Sequence, residues 1–326
     1  MREVNLHHFM TSIAALGLAV AVGTGTATAQ DELELTITAP AGAGGGWDSA
    51  ARSIQEVMTS IGEARSVQVV NVPGAGGTVG LAQFANAGEG DPTELLVGGI
   101  TMVGAIITNQ APVNLDAVTP LARLTGDPLV VAVPASSDIQ TMEDLLARIG
   151  EDVGGTTWAG GSAGGADHML AALVVEAAGE DPAATNYIAY SGGGEALAAM
   201  LGGQVTAGIS GYGEWEGQFE AGELRPLAIS FAEPIEGLDV PTLREEGVDV
   251  ELVNWRGVFA RPGLSEEDMQ RLSDAFAAVV ESEEWQQLLE ARGWTDFYMP
   301  ADEFAAFLDT EEQRVGDILR SLGLAQ

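Results

Sequence analysis

Gly160-Gly161-Ser162-Ala163-Gly164-Gly165 follows an apolar run around Thr156 to Ala159 and opens into a helical pattern from Ala166 to Ala178. This order of strand, glycine cluster and helix decides the fold. It occurs three more times, at Gly44-Gly45-Gly46-Trp47-Asp48, at Pro73-Gly74-Ala75-Gly76-Gly77 and at Ser191-Gly192-Gly193-Gly194. Strands alternating with helices at this spacing predict an α/β protein with a parallel sheet and helices on both faces. A glycine-lined helix start leaves backbone N–H groups unpaired at the positive end of the helix dipole, which suits an anion. Four such ends meeting in one cleft would hold a small polyanion without a basic side chain.

Working outward, Leu33 to Thr38 alternates as a strand and Ser49 to Ile61 carries a helical stripe. A strand from Val67 to Val72, a helix from Thr78 to about Ala87 and a strand from Leu95 to Ile100, running into Thr101, come next. Leu129 to Val133 and Val253 to Ala260 are continuous apolar strands that bracket a self-contained α/β pattern. That pattern has helices at Thr141 to Ile149, Ala166 to Ala178 and Glu195 to Leu201, with strands at Thr156 to Ala159, Asn186 to Ala189 and Val205 to Ser210. Helices at Ser265 to Ser282, Glu284 to Arg292 and Ala301 to Leu322 close the chain. The expected architecture is one α/β lobe, residues 30–132 plus 255–326, interrupted by a second, residues 133–254, joined by two hinge crossings. In open α/β sheets the ligand sits at the carboxyl ends of the strands, here the cleft between the lobes.

Arg2, an apolar run from about Ile13 to Val22 and Ala27-Thr28-Ala29 read as a cleavable secretory signal over residues 1–29. Absence of cysteine excludes a lipid anchor and a disulfide framework, so a periplasmic location is expected. All 13 basic residues are arginine against a formal net charge of −35, which argues against nucleic acid or an anionic membrane as a partner. The acidic surface reads either as an adaptation to salt or as a face for a basic ligand or cation.

The glycine loops fail the dinucleotide fingerprint, since Val79 and Trp47 stand where its third glycine belongs, and without lysine there is no phosphate-binding P-loop. Gly160-Gly161-Ser162-Ala163-Gly164 matches G-x-S-x-G between strand and helix. A hydrolase using Ser162 is the enzymatic alternative, but it needs a histidine from a distant loop, and His168 lies six residues along the same helix. Ser162 reads better as a hydroxyl donor to a ligand anion. His168 either packs within its helix or lines the cleft. Trp47 and Tyr212 each either line the cleft or pack over their loops, and Trp255 packs at the hinge. Asp48 and Arg52 form an i, i+4 pair, with Asp48 also capping the helix. The residues point to no catalytic, metal-binding or cofactor role.

The ordered segments resemble the extracytoplasmic solute receptors of tripartite tricarboxylate transporters, often called Bug receptors, over essentially the whole mature chain. They are Pro40 to Arg52, Asn71 to Gly80, Gly161 to His168, Tyr190 to Leu197, Leu201 to Val205 and Trp255 to Gly263. The resemblance implies a two-lobed periplasmic binding protein, type II-like, acting as a monomer. It would close on a small carboxylate and deliver it to a two-subunit membrane permease. It places ligand contacts on Gly45, Gly46, Trp47, Asp48, Ala75 and Gly76 in the first lobe, and on Ser162, Ala163, Gly164, Gly193 and Gly194 in the second. Thr101, His168 and Tyr212 complete the expected cleft. Trp47, where many relatives have threonine, resembles the branch associated with citrate-type tricarboxylates, and Ser191 replaces the usual lysine. A carboxylate co-sensor for a membrane kinase is the other reading that the resemblance leaves open.

Overall fold

The computed structural model describes residues 33–235 and 237–325. The expected signal segment, residues 1–29, lies outside them. The first lobe opens with three strand-to-helix units: β1 (Leu33–Ala39) to α1 (Gly46–Ser60), β2 (Ala64–Asn71) to α2 (Thr78–Asn86), and β3 (Glu94–Gly99) to α3 (Ile100–Thr108). In α1, Ala50, Ala51, Ile54, Val57 and Met58 are buried, a spacing that puts them on one face against the sheet. The 16-residue strand β4 (Thr119–Pro134) then leaves this lobe and enters the second.

There α4 (Met142–Glu151) starts with Thr141 and Asp144 capping each other's backbone. Three more strand-to-helix units follow: β5 (Thr157–Gly160) to α5 (Ala166–Ala177), β6 (Asn186–Ala189) to α6 (Gly193–Leu201), and β7 (Ala207–Gly211) to α7 (Tyr212–Glu220). After β8 (Leu224–Ile229), the chain returns through β9 (Val253–Ala260) and finishes the first lobe with α8 (Glu266–Glu281), α9 (Glu283–Arg292), β10 (Thr295–Pro300) and α10 (Ala301–Ser321).

The main strand path is β2-β1-β3-β9-β4-β7-β5-β6, so each lobe places its first three strands in the same relative order, second-first-third. Within these triplets the adjacent strands are parallel. The sheet is nevertheless mixed rather than parallel, because β4 and β9 run against their neighbours. A chain that crosses between lobes and returns must enter one sheet in each direction. β4 changes partner at the crossing: Pro128 faces Val253 of β9, whereas Leu129 faces Gly211 of β7. Fully buried Ser230 fastens this point, accepting from the Leu129 amide at 3.3 Å and donating to the Leu252 carbonyl at 2.6 Å.

Candidate functional site

Each of the six strand-to-helix junctions delivers a helix N-terminus to the same side of its sheet. Together they line one cavity of about 950 Å³. Ten of the fourteen expected residues are on its wall: Gly45, Gly46, Trp47, Ala75, Gly76 and Thr101 from the first lobe, and Ser162, Ala163, Gly193 and Gly194 from the second. The amides of Gly46, Trp47, Ala75, Gly76, Ser162, Ala163, Gly193 and Gly194 have no hydrogen-bond partner among the described residues. Gly46, Trp47, Gly193 and Gly194 are first-turn donors and the other four lie in the loops ahead of α2 and α5; such amides are what an anion can use.

Close approach explains part of the glycine content. A Cβ at Gly77, whose φ is +91°, would stand 2.6 Å from the Trp47 ring. Trp47 therefore packs on that glycine while lining the cavity. Ala75 has a φ of 48°, a left-handed conformation that non-glycine residues rarely take.

The other four expected residues do not line the cavity. Asp48 is 2% exposed; its carboxylate accepts from the Gly44 amide at 2.8 Å, from Arg52 at 2.9 Å and from Asn71 at 2.8 Å. It makes the expected pair with Arg52 but fastens the loop from behind. Burial pushes its pKa up, and the bonds from Arg52, Gly44 and Asn71 outweigh that and hold it below the usual range. Gly164 faces α3, where a Cβ would strike the Thr108 hydroxyl, and its amide donates to His168 Nδ1 at 3.1 Å. The His168 ring stacks on Tyr187 at 4.2 Å, and burial lowers its pKa to about 4. With that nitrogen engaged by the loop, it is no base for Ser162. Tyr212 opens α7, with its ring 5.3 Å from Phe219.

A common device preorganises these loops. An acceptor on the following helix reaches back to a loop amide: Asp48 to Gly44, Asp167 to Gly161 at 2.6 Å, His168 to Gly164, and Glu195 to Ser191 at 3.1 Å.

Sequence reasoning missed a charged group on the cavity wall. Arg256, Asp167, Glu214 and Ser210 line it, so the expected cleft without a basic side chain is corrected. Arg256 sits on β9 beneath Gly46 and pairs with Asp127 of β4 at 2.5 Å. Asp127 packs under Gly211, the N-cap of α7. Burial raises Asp127 to about 6 against the pull of Arg256, with Glu214 adding to the rise. Burial also raises Asp167 to about 7, against its bond from Gly161. Glu214 accepts from Ser210 Oγ at 3.0 Å. Asp167 and Arg256 both fall in segments that carry the family resemblance, but nothing local marks them as cleft residues.

Cross-lobe contacts between α3 and the start of α5 join the site. Thr101 Oγ1 accepts from the Ala166 amide at 3.3 Å, and Gly104 of α3 lies directly on the Gly164 carbonyl. Trp255 is not in the cavity. It is 1% exposed, donates to Glu311 of α10 at 2.9 Å and meets Phe304 edge-on, a packing role as expected. No described helix is long and apolar enough to cross a membrane.

Residues 50–324 match the model of the tripartite tricarboxylate transporter family receptor. Protein BugT of Bordetella pertussis is 27% identical over 278 residues, covering 84% of this chain and 83% of its own. The fold is similar to MatC of Rhodopseudomonas palustris with bound malate, with a TM-score of 0.75, 23% identity and coverage of 88% and 98% of the two chains. A second R. palustris protein, solved with adipate, gives a TM-score of 0.82 at 21% identity, over 91% and 99%.

Proposed function

The chain belongs to the tripartite tricarboxylate transporter receptor family, a family of solute-binding proteins rather than enzymes, and from that premise we propose that it captures a small carboxylate in the interlobe cleft. A citrate-type tricarboxylate is the first candidate, and the two-subunit membrane permease of such a transporter is the recipient. The observation that carries this reading is the set of unpaired amides on cavity-lining residues of the glycine loops and helix starts of both lobes. Each charge-assisted bond to an anion contributes about 1.5–3 kcal/mol. Four at the upper end of that range, less the smallest cost of association, permit a dissociation constant of about micromolar.

The contacts assigned to the ligand are the backbone of Gly46, Trp47, Ala75, Gly76, Ser162, Ala163, Gly193 and Gly194, with the hydroxyls of Thr101 and Ser162. Lobe closure strips water from the anion, and the ligand shifts the open–closed equilibrium by preferring the closed form. The lobes in this reading are residues 30–132 plus 255–326 and residues 133–254, with the change of partner along β4 falling slightly earlier, between Pro128 and Leu129. A periplasmic monomer released by its signal peptide fits delivery to a permease. Malate and adipate in the solved relatives keep dicarboxylates in contention.

The test is thermal unfolding of residues 30–326 at fixed high salt with citrate, isocitrate, malate, succinate, adipate, aspartate and aromatic carboxylates. A ligand at a hundredfold excess over its dissociation constant adds about 2.7 kcal/mol, a shift of a few degrees for a chain of this size. A shift with citrate alone supports the tricarboxylate assignment. One with a smaller or aromatic acid discards that assignment and keeps the receptor for carboxylates. No shift with any of them overturns the carboxylate reading.

A further inference from the structure

The cavity carries acceptors as well as donors. Asp167, Glu195 and Glu214 line it, and their only hydrogen-bond donors among the described residues are the Gly161 amide, the Ser191 amide and the Ser210 hydroxyl. Beside them on the wall, Arg256 is 4% exposed and its Nη1 has no partner among the described residues. Buried groups of this kind ask for partners when the cleft closes. A ligand made only of carboxylates and methylenes can satisfy the amides and Arg256. It leaves Glu214 and Asp167 facing an anion that brings them no donor beyond the Ser210 hydroxyl and the Gly161 amide.

From this juxtaposition of Arg256 and unpaired amides with the Glu214 and Asp167 carboxylates, we infer that the site selects an acid carrying a hydrogen-bond donor on its carbon skeleton, a hydroxyl or an ammonium group. This rests on the carboxylate reading above and narrows its substrate class. The ligand's carboxylates take the amides and Arg256; its donor takes the acceptor side of the same cavity. Steric fit agrees with this placement for Glu214. A Cβ at Gly193 would collide with its carboxylate and with Ser210 Oγ, so the absence of a side chain there leaves both acceptors their place at the cavity wall. Asp167 is seated similarly, against Gly160 and Gly161.

Matched pairs of acids test this by calorimetry on the wild-type chain at high salt: citrate against tricarballylate, and malate and aspartate each against succinate. The donor-bearing member of at least one pair is expected to bind about tenfold or more tightly, the value of a hydrogen bond to a charged group. Glu214→Ala is expected to bring that ratio toward one, and Asp167→Asn to reduce it. Glu214→Gln separates the donors, because its amide oxygen still accepts from a hydroxyl but no longer pairs with an ammonium charge. Equal affinities within every pair, or tighter binding of the plain acid, overturn the inference and leave the carboxylate receptor standing. A ratio that survives in Glu214→Ala overturns the assignment of that residue. If no acid of either kind binds, the carboxylate reading itself falls.

Discussion

Arg256 and Asp127 face each other from strands of opposite direction, under the helix starts of opposite lobes. Removing one member of a buried pair leaves the other charge uncompensated, at a cost of about 3–5 kcal/mol. Arg256→Gln is expected to lose at least about 3 kcal/mol at pH 8 by urea unfolding, and less at pH 5. The direction follows from Asp127. Burial already holds its carboxyl at about 6, and losing Arg256 raises it further, while an unfolded aspartate titrates near 3.9. The folded variant thus keeps a proton that the unfolded chain has given up, and its stability drains away as the pH rises toward the folded value. An equal loss at both pH values would argue against a charge left bare. The pair was invisible in the sequence because its members are 129 residues apart and the register of β4 against β9 alone brings them together. The glycine loops were legible for the opposite reason: each signal lies within six consecutive residues. Asp48 and His168 were half legible, since spacing places them one turn beyond their loops without saying which way they turn.

At the scale of elements, α3 carries the closest seam between the lobes. A Cβ at Gly104 would run into the Gly164 carbonyl, and one at Gly165 would stand 2.9 Å from Thr101 Cγ2. Gly104→Val therefore props the seam open. Ligand affinity is expected to fall about tenfold or more by calorimetry, and the free protein to show a larger radius of gyration by solution scattering, since no rotamer change moves the added Cβ off the Gly164 carbonyl. Unchanged affinity would mean that the seam is not part of closure. This helix escaped the sequence reading: Ile100 to Thr108 is apolar nearly throughout, and periodicity cannot separate such a run from a buried strand. The first half of β4 escaped too, because Pro120, Gly126 and Pro128 mark turns in isolation. β8 contains Pro226, which a strand tolerates at a sheet edge, where the missing N–H faces no partner. By contrast β6 and β9 were legible to the residue, β6 as a short run shortly before Ser191-Gly192 and β9 as an apolar run ended by Arg261-Pro262.

Over the whole molecule, a formal net charge of −35 opposes the approach of an anion. Salt shortens the reach of that field, the Debye length falling from about 10 Å at 0.1 M to about 3 Å at 1 M. The association rate of the carboxylate, followed by stopped-flow tryptophan fluorescence, is expected to rise several-fold across that range. A rate that falls with salt would show that the cleft's own potential, not the surface, governs encounter. Strand order along the sheet has a separate outcome for the newborn chain. The strand that fills the middle of the first lobe, β9, is made after the whole of the second lobe's sheet, and β10 later still. As the chain emerges amino end first, β3 waits with an open edge while β4 to β8 already have one another. The inserted lobe is thus the first that can complete itself, and the lobe begun earliest is sealed last, by long-range pairing of the slow kind.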